Sequence, residues 1–493
     1  EAVHVGAEGL PDARAVAAHD QLSVTLRWGD HDGGSMAAPL VRGMPLVTLE
    51  FSDLAPRVTF AASSVARVDG HAVPASLSSD RYEIELASGD TWLVYVSKES
   101  AVHVDERGIS FDGKLSGAVR LGLAPSEESK AVLDKHRRRY PTGGKVRARA
   151  AADRARLTFA WATRGDGPLL MMALPHHVDA GISGGEIARD VTHESMKGGM
   201  VGVSGDTWTI TERLPTIGWA PPRPIDAARA PAVREALRSD ASKPLVAVDP
   251  YGAGKEMAAL GRLAVIADEL GEAGTAEAIR ERLAGALDVW LEGKNADALR
   301  YEPTWGGVAP ANGLADPGAD FGAGWYNDHH FHYGYFLYAA AAVGRKDPAW
   351  LRKRMGAILH LVRDIANPSA RDRLYPQQRH KDWYVGHSWA AGLFPSASGR
   401  NQESCSEAAN AWYSLALLGE AAGDGRLRGL GRLMLATEAR AYRKYWLMGA
   451  GSSAEKSPIY PSKFAENGMV AVVWSTKADK ATWFGANIEC VLA

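Results

Sequence analysis

The stretch Pro215-Thr216-Ile217-Gly218-Trp219-Ala220-Pro221-Pro222-Arg223-Pro224, closed by Pro231, decides how the rest of the chain is read. Proline has no amide hydrogen and its ring clashes with the preceding turn, so this stretch propagates neither a helix nor a central strand. The sequence has a different period on each side of it. Before it, β-branched or alternating runs recur at 22–28, 46–51, 82–86, 91–96, 157–161 and 208–210. Clusters such as Gly29-Asp30-His31-Asp32-Gly33-Gly34 punctuate them. Short strands at that spacing predict an antiparallel β-sandwich. After it the period becomes 3.6, and helices are expected at 256–272, 275–291, 329–343, 348–366, 406–422 and 426–447. A β-rich half followed by an α-rich half implies separate domains. The expected division is a β-sandwich over 1–218, a Pro-rich connector of small α/β character over 219–250, and a helical domain over 251–493.

Composition agrees with a folded, multidomain chain. The 493 residues are 46% hydrophobic and 23% charged, which excludes disorder, collagen and a coiled-coil rod. The formal charge of −2 argues against a nucleic-acid or membrane-surface protein, since both normally carry a basic excess. The dense basic run Lys135-His136-Arg137-Arg138-Arg139 is expected to be a solvated loop. Two cysteines, Cys405 and Cys490, make no disulfide scaffold, and their spacing leaves a single bridge open. No apolar stretch reaches the roughly 18 residues of a membrane span. The chain starts at Glu1 without a charged and then apolar leader, so a removed signal and a cytosolic location both remain open.

Two short motifs carry less than they suggest. Gly252-Ala253-Gly254-Lys255-Glu256 lacks the upstream glycine and the Ser or Thr of a phosphate loop, and reads as a turn and helix start. Cys405, with no histidine nearby in sequence, reads as a small buried side chain at a helix start.

Three segments are dense in functional groups. In Trp325-Tyr326-Asn327-Asp328-His329-His330-Phe331-His332-Tyr333-Gly334-Tyr335, a helix spreads His329, His330 and His332 over more than half its circumference. They therefore do not converge on one metal ion. Asp328, His332 and Tyr335, at i, i+4 and i+7, share a face. Asp328 could equally cap the apolar run that follows, and a cap can also be catalytic. In Asn401-Gln402-Glu403-Ser404-Cys405-Ser406-Glu407-Ala408-Ala409-Asn410, Ser404 and Glu407 have the spacing of a capping box. A box needs one glutamate, however, and here Glu403 and Glu407 stand four apart. Paired carboxylates with a distant aspartate suit hydrolysis of an acetal, in which one group protonates the leaving oxygen and another activates water. Between these lies Arg379-His380-Lys381-Asp382-Trp383-Tyr384-Val385-Gly386-His387-Ser388-Trp389-Ala390-Ala391-Gly392. Its interleaved aromatic and polar residues fit either a sugar-binding groove or a packed inter-helix loop.

Taken together, these strings resemble glycoside hydrolase family 81, the endo-β-1,3-glucanases or laminarinases. The resemblance rests on 327–335, on Gly386-His387-Ser388-Trp389-Ala390 and on 401–410. Pro39-Leu40-Val41-Arg42-Gly43-Met44-Pro45, Leu174-Pro175-His176-His177 and Trp474-Ser475-Thr476-Lys477-Ala478-Asp479 support it. It implies an N-terminal β-sandwich, a small α/β connector and a C-terminal (α/α)6 barrel. The implied activity is inverting hydrolysis of internal β-1,3-glucosidic bonds without cofactor or metal, by a secreted enzyme expected to be monomeric. By resemblance Asp328 is the general acid, Glu403 the base and Glu407 a second essential glutamate. His332 matches a residue of the sugar site, and Tyr326, His330, Tyr335, Asp382, His387 and Trp389 are expected at glucose subsites. About six helices are legible where a full barrel has twelve. The barrel is therefore expected to look incomplete at the C-terminus and to leave an apolar face uncovered. The competing reading is a β-glucan-binding protein that keeps the groove without the reaction. Retention of all three carboxylates disfavours it.

Overall fold

A computed structural model describes residues 3–30, 33–221, 223–448, 459–483 and 485. Cys490, the run 487–493, His31, Asp32 and Pro222 lie outside the described residues. By packing, the chain divides into one unit of residues 1–149 with 156–211 and a second of 150–155 with 212–493.

The first unit is built on the two-residue period of the strand, which sends alternate side chains to opposite faces. In the strand Thr91–Asp105, Val102 and Val104 are fully buried while Ala101 and His103 face out. Earlier in the same strand both faces are covered. Val94 and Val96 enter one core with Phe51, Tyr82 and Val119, while Leu93 and Tyr95 enter another with Leu133, Leu170 and Met172. The result is a 12-stranded sheet in which all strand pairings are antiparallel. Its main path runs 3–7, 56–60, 108–111, 91–105, 115–123, 47–54, 34–41, 23–30 and 14–19. Smaller sheets of three strands accompany it.

The basic run is not the solvated loop expected from composition. His136 ends the helix Glu127–Lys135 and is buried, its Nδ1 2.7 Å from the Val132 carbonyl. Arg137 forks onto Asp80 at 3.0 and 3.1 Å, and Arg139 reaches Asp206 at 3.0 Å. Carboxylates distant in sequence, invisible to a local reading, hold it in place.

The second unit is helical. Pro231 stands in the first turn of the helix Ala230–Ala241, the one place where a missing amide hydrogen costs nothing. Among the described residues, 219–250 contain this helix and no strand, which corrects the α/β character expected for the connector. The six expected helices occur as Pro250–Glu269, Ala273–Leu291, His329–Gly344, Pro348–Ala366, Cys405–Ala421 and Gly425–Tyr445. Side chains cap four of them: Asp249 on the Gly252 amide, Asp347 on Trp350, Ser404 on Glu407, and Asp424 on Arg426 and Leu427. Such caps each contribute roughly 0.5–2 kcal/mol.

The helix His329–Gly344 is apolar on nearly all sides and buried at every position but Tyr335. It packs against Pro250–Glu269, Ala273–Leu291, Pro348–Ala366 and Cys405–Ala421. At Gly334 a β-carbon would stand 2.7 Å from the Cα and Cβ of Ala411, so this close crossing needs glycine. The central helix begins at Asp328 and its neighbour just after Glu403, which brings the two carboxyl-bearing starts into one region.

Candidate active site

The chain enters the central helix through an irregular stretch. Asp320, Phe321, Tyr326 and Asp328 all have left-handed backbones, with φ of 50°, 63°, 60° and 60°. Each such non-glycine residue costs on the order of 1–3 kcal/mol, so the surroundings must hold it. The Asp328 amide donates to the Ala390 carbonyl at 2.9 Å, and Asn327 Oδ1 accepts the Gly392 amide at 2.8 Å. Gly392 lies so close to the Trp325–Tyr326 backbone that a β-carbon there would meet the Trp325 oxygen at 2.1 Å. Asp328 occupies the N-cap position, yet its side chain makes no capping bond. Its carboxyl group is therefore available to the cavity it lines. Burial pushes that carboxyl well above the usual aspartate range, and the charges of Glu403 and Glu407 push it further.

The opposing carboxylate stands where a strand becomes a helix. Asn401 and Gln402 pair with Trp474 and Val473, and the chain then turns at Ser404 into the helix Cys405–Ala421. Glu403, between them, accepts the Trp483 amide at 3.0 Å. Burial raises its pKa, Glu407 adds to the rise, and the Trp483 amide opposes it. The expected capping box forms only in half: Ser404 Oγ accepts the Glu407 amide at 3.4 Å, while the Glu407 carboxylate takes the Tyr335 hydroxyl at 2.7 Å instead. Burial and Glu407 raise the pKa values of Tyr251 and Tyr335, which keeps both phenols protonated beside this carboxylate.

Asp328, Glu403, Glu407 and His332 line one cavity of about 430 Å³. Its walls are aromatic, formed by Tyr251, Phe321, Phe331, Phe394, Trp474 and Trp483, and Asn327 and Asn401 add amides. Burial drives the His332 pKa down to about 3, so the ring is neutral, and its Nδ1 has no partner among the described residues. Phe321, Phe394 and Trp483 are 62%, 53% and 65% exposed, and large exposed rings rimming a polar floor suit a sugar face. A larger cavity of about 650 Å³ lies in the β unit. There Asp80 is bound by Arg137 and Glu50 by Arg164, which leaves Asp166 as the one lining acid without such an ion pair among the described residues, and no pair of carboxylates for acid–base work.

Several expected contact residues sit behind the cavity wall. Tyr326, His330, His387 and Trp389 are at most 2% exposed and do not line it, and neither does the half-buried Asp382. Tyr326 donates to Glu302 at 3.0 Å beneath the Arg379 guanidinium. His330 meets Ser388 at 3.1 Å, His387 Nδ1 lies 2.7 Å from the Ser388 carbonyl, and Trp389 Nε1 reaches Asp382 at 3.3 Å. They are therefore placed in the framework rather than against a ligand. Helical geometry accounts for His330: two residues past Asp328, it points to the other side. Tyr335 reaches the site through Glu407. The three histidines diverge, with His329 between Asp364 and the Ala323 carbonyl at 2.8 Å each, His330 on Ser388, and His332 facing the cavity. Sequence reasoning missed Tyr251, Phe321, Phe394 and Trp483 as wall residues. Each is an isolated aromatic with no local signal.

The chain matches the model of the glycosyl hydrolase family 81 N-terminal domain over residues 3–224 and that of the C-terminal domain over 226–493. A glucan endo-1,3-beta-D-glucosidase of Glycine max is 32% identical over 489 residues, covering 97% of this chain and 71% of that protein. A primary septum glucan endo-1,3-beta-D-glucosidase of Schizosaccharomyces pombe is 30% identical, covering 96% of this chain and 48% of that protein. The chain thus spans about half the length of that second relative. Among solved structures, a glycoside hydrolase family 81 protein of Clostridium thermocellum superposes with a TM-score of 0.83 at 24% identity. It covers 98% of this chain and 66% of its own, and the likeness bears on the fold.

Proposed function

Because this chain belongs to glycosyl hydrolase family 81, we propose that its cavity hydrolyses internal β-1,3-glucosidic bonds in β-glucans of the laminarin and curdlan type, with inversion. One observation carries the assignment of roles. Three carboxyl groups share a cavity, and one of them, Asp328, is driven towards its protonated form by burial and by the charges of Glu403 and Glu407. Asp328 donates its proton to the glycosidic oxygen as the bond to the anomeric carbon breaks. Glu403 takes a proton from the water that attacks that carbon from the opposite face. The cycle leaves Asp328 ionised and Glu403 protonated, and exchange with solvent restores both. Glu407, oriented by Tyr335, keeps the proton on Asp328 and orients the water. Neutral His332 holds a glucose hydroxyl, and the aromatic walls pack on the sugar faces. The proposed setting is outside the cell, as a monomer acting on polysaccharide.

Inversion requires room for water between base and sugar, a carboxyl separation of roughly 6.5–9.5 Å, against about 5–5.5 Å in a retaining pair. Laminarin digested in an NMR tube should give α-configured reducing ends in the first minutes, before mutarotation. An initial β signal would overturn the mechanism and the role of Glu403. Absence of any new reducing ends would leave a glucan-binding protein.

Glu407→Gln tests the third carboxylate. The cap at this helix uses the Glu407 amide and not its side chain, so the variant should melt at the parental temperature. Activity should collapse. Loss of a nearby negative charge should also lower the Asp328 pKa, moving the alkaline limb of residual kcat/KM to lower pH. An unmoved limb with near-parental turnover would confine Glu407 to a structural part.

A further inference from the structure

We infer that Ser388, clamped by Glu438, is a positioning residue that fixes the span between the proton donor and the base. The inference rests on the acid–base reading of Asp328 and Glu403. Glu438, inside the helix Gly425–Tyr445, is fully buried. Its carboxylate accepts Lys381 Nζ at 2.8 Å, the Ser388 amide at 2.8 Å, Ser388 Oγ at 2.8 Å and Trp412 Nε1 at 3.2 Å. Four donors saturate it, the condition under which a buried charge holds a geometry rather than disrupting one.

The proton accounting at Ser388 has one solution. The single hydroxyl hydrogen goes to Glu438, so Oγ must accept from its other neighbours. These are Gln402 Nε2 at 2.8 Å and His330 Nε2 at 3.1 Å. His330 is then the Nε2–H tautomer, in keeping with burial holding its pKa well below the usual value and with an Nδ1 that lacks a donor. The second hydrogen of Gln402 Nε2 goes to the Ser388 carbonyl at 2.8 Å. His330 is two residues from Asp328, and Gln402 precedes Glu403. One hydroxyl thus joins the helix that Asp328 caps, the strand Asn401–Gln402 that leads into Glu403, and a third helix.

The backbone repeats the connection. The Asp328 amide donates to the Ala390 carbonyl, and the Ala390 amide donates to the Asn401 carbonyl at 2.8 Å. The 388–392 segment is therefore the spacer between the two carboxyl groups. Ser388 is fully buried and makes no part of the cavity wall, so it acts through others. A misplacement of about 1 Å can cost on the order of 10²-fold in rate, and the spacer guards against that error.

Ser388→Ala deletes the hydroxyl and keeps the backbone bonds. With laminarin, kcat should fall roughly 10- to 100-fold while KM stays within about twofold. The alkaline limb of kcat should also move to lower pH, because a looser span weakens the hold of Glu403 on the Asp328 proton. Gln402→Met, which cuts the arm to the base, should give the same split and serves if Ser388→Ala fails to fold. Ile279→Val, a buried control elsewhere in the unit, should lower the melting temperature and leave both kcat and the limb unchanged. Parental kcat and pH profile in either folded brace variant overturn the inference. If Asp328→Asn and Glu403→Gln keep turnover, the acid–base reading fails instead, and the two failures are distinguishable.

Discussion

Asp328→Asn should abolish laminarin hydrolysis while raising the melting temperature at neutral pH. General acid catalysis is typically worth about 10²–10⁴-fold, and a sugar alkoxide is a poor leaving group, so the loss should lie at or beyond the upper end. Asparagine is close in shape, keeps the backbone bond to Ala390, and tolerates the left-handed conformation at least as well as aspartate. The stability gain follows from linkage. A carboxyl whose folded-state pKa lies above its unfolded value binds its proton more tightly when folded, so its stabilising share is full below the unfolded value, near 4. That share is lost as pH rises from there through the raised folded value. At neutral pH parental Asp328 therefore weakens the fold, and the neutral amide removes that cost. Calorimetry at pH 4 and pH 7 should show the variant's advantage at pH 7 and little at pH 4. Equal gains at both would remove the raised pKa from the argument, and near-parental turnover would remove Asp328 from the acid role.

Loss of the base should be nearly as severe and chemically distinct. Glu403→Ala deletes the group that deprotonates water, and an expected 10²–10⁴-fold fall in kcat should accompany an unchanged KM. The Trp483 amide loses its acceptor, so a small decrease in stability is expected. Azide needs no base and fits the space left by the carboxylate. It should restore turnover and yield an α-glucosyl azide, since it attacks from the face where water would have entered. The same treatment of Glu407→Ala should restore nothing. Rescue of Glu407→Ala but not Glu403→Ala would exchange the two roles.

These variants follow from groups legible in the sequence alone, because each belongs to a short motif whose meaning is local. The change of period across 215–231, the six long helices and the helix starts beside Asp328 and Glu403 depend on neighbours within a turn or two. Backbone propensity and capping read such spacing directly. The same applies to the strands, where alternation at 82–86 marks one buried face and the continuous apolar run at 92–96 marks a strand covered on both.

What the sequence could not settle is which polar and aromatic side chains face the substrate. His330, His387 and Trp389 stand in the densest motifs and are buried in the framework, while Tyr251, Phe394 and Trp483 come from segments without a motif and form the wall. Whether Glu407 served a cap or the cavity was also undecided, since the spacing permits both; the Tyr335 hydroxyl, 72 residues away, claims its carboxylate. The proton on Asp328 is a tertiary property too, because desolvation and the charges of Glu403 and Glu407 act through space. Sequence spacing encodes contacts made within an element, where geometry is fixed by the backbone repeat. Contacts between elements depend on how helices and strands cross, and here that crossing put most of a motif that suited a sugar groove behind the cavity wall and brought scattered aromatics into the wall.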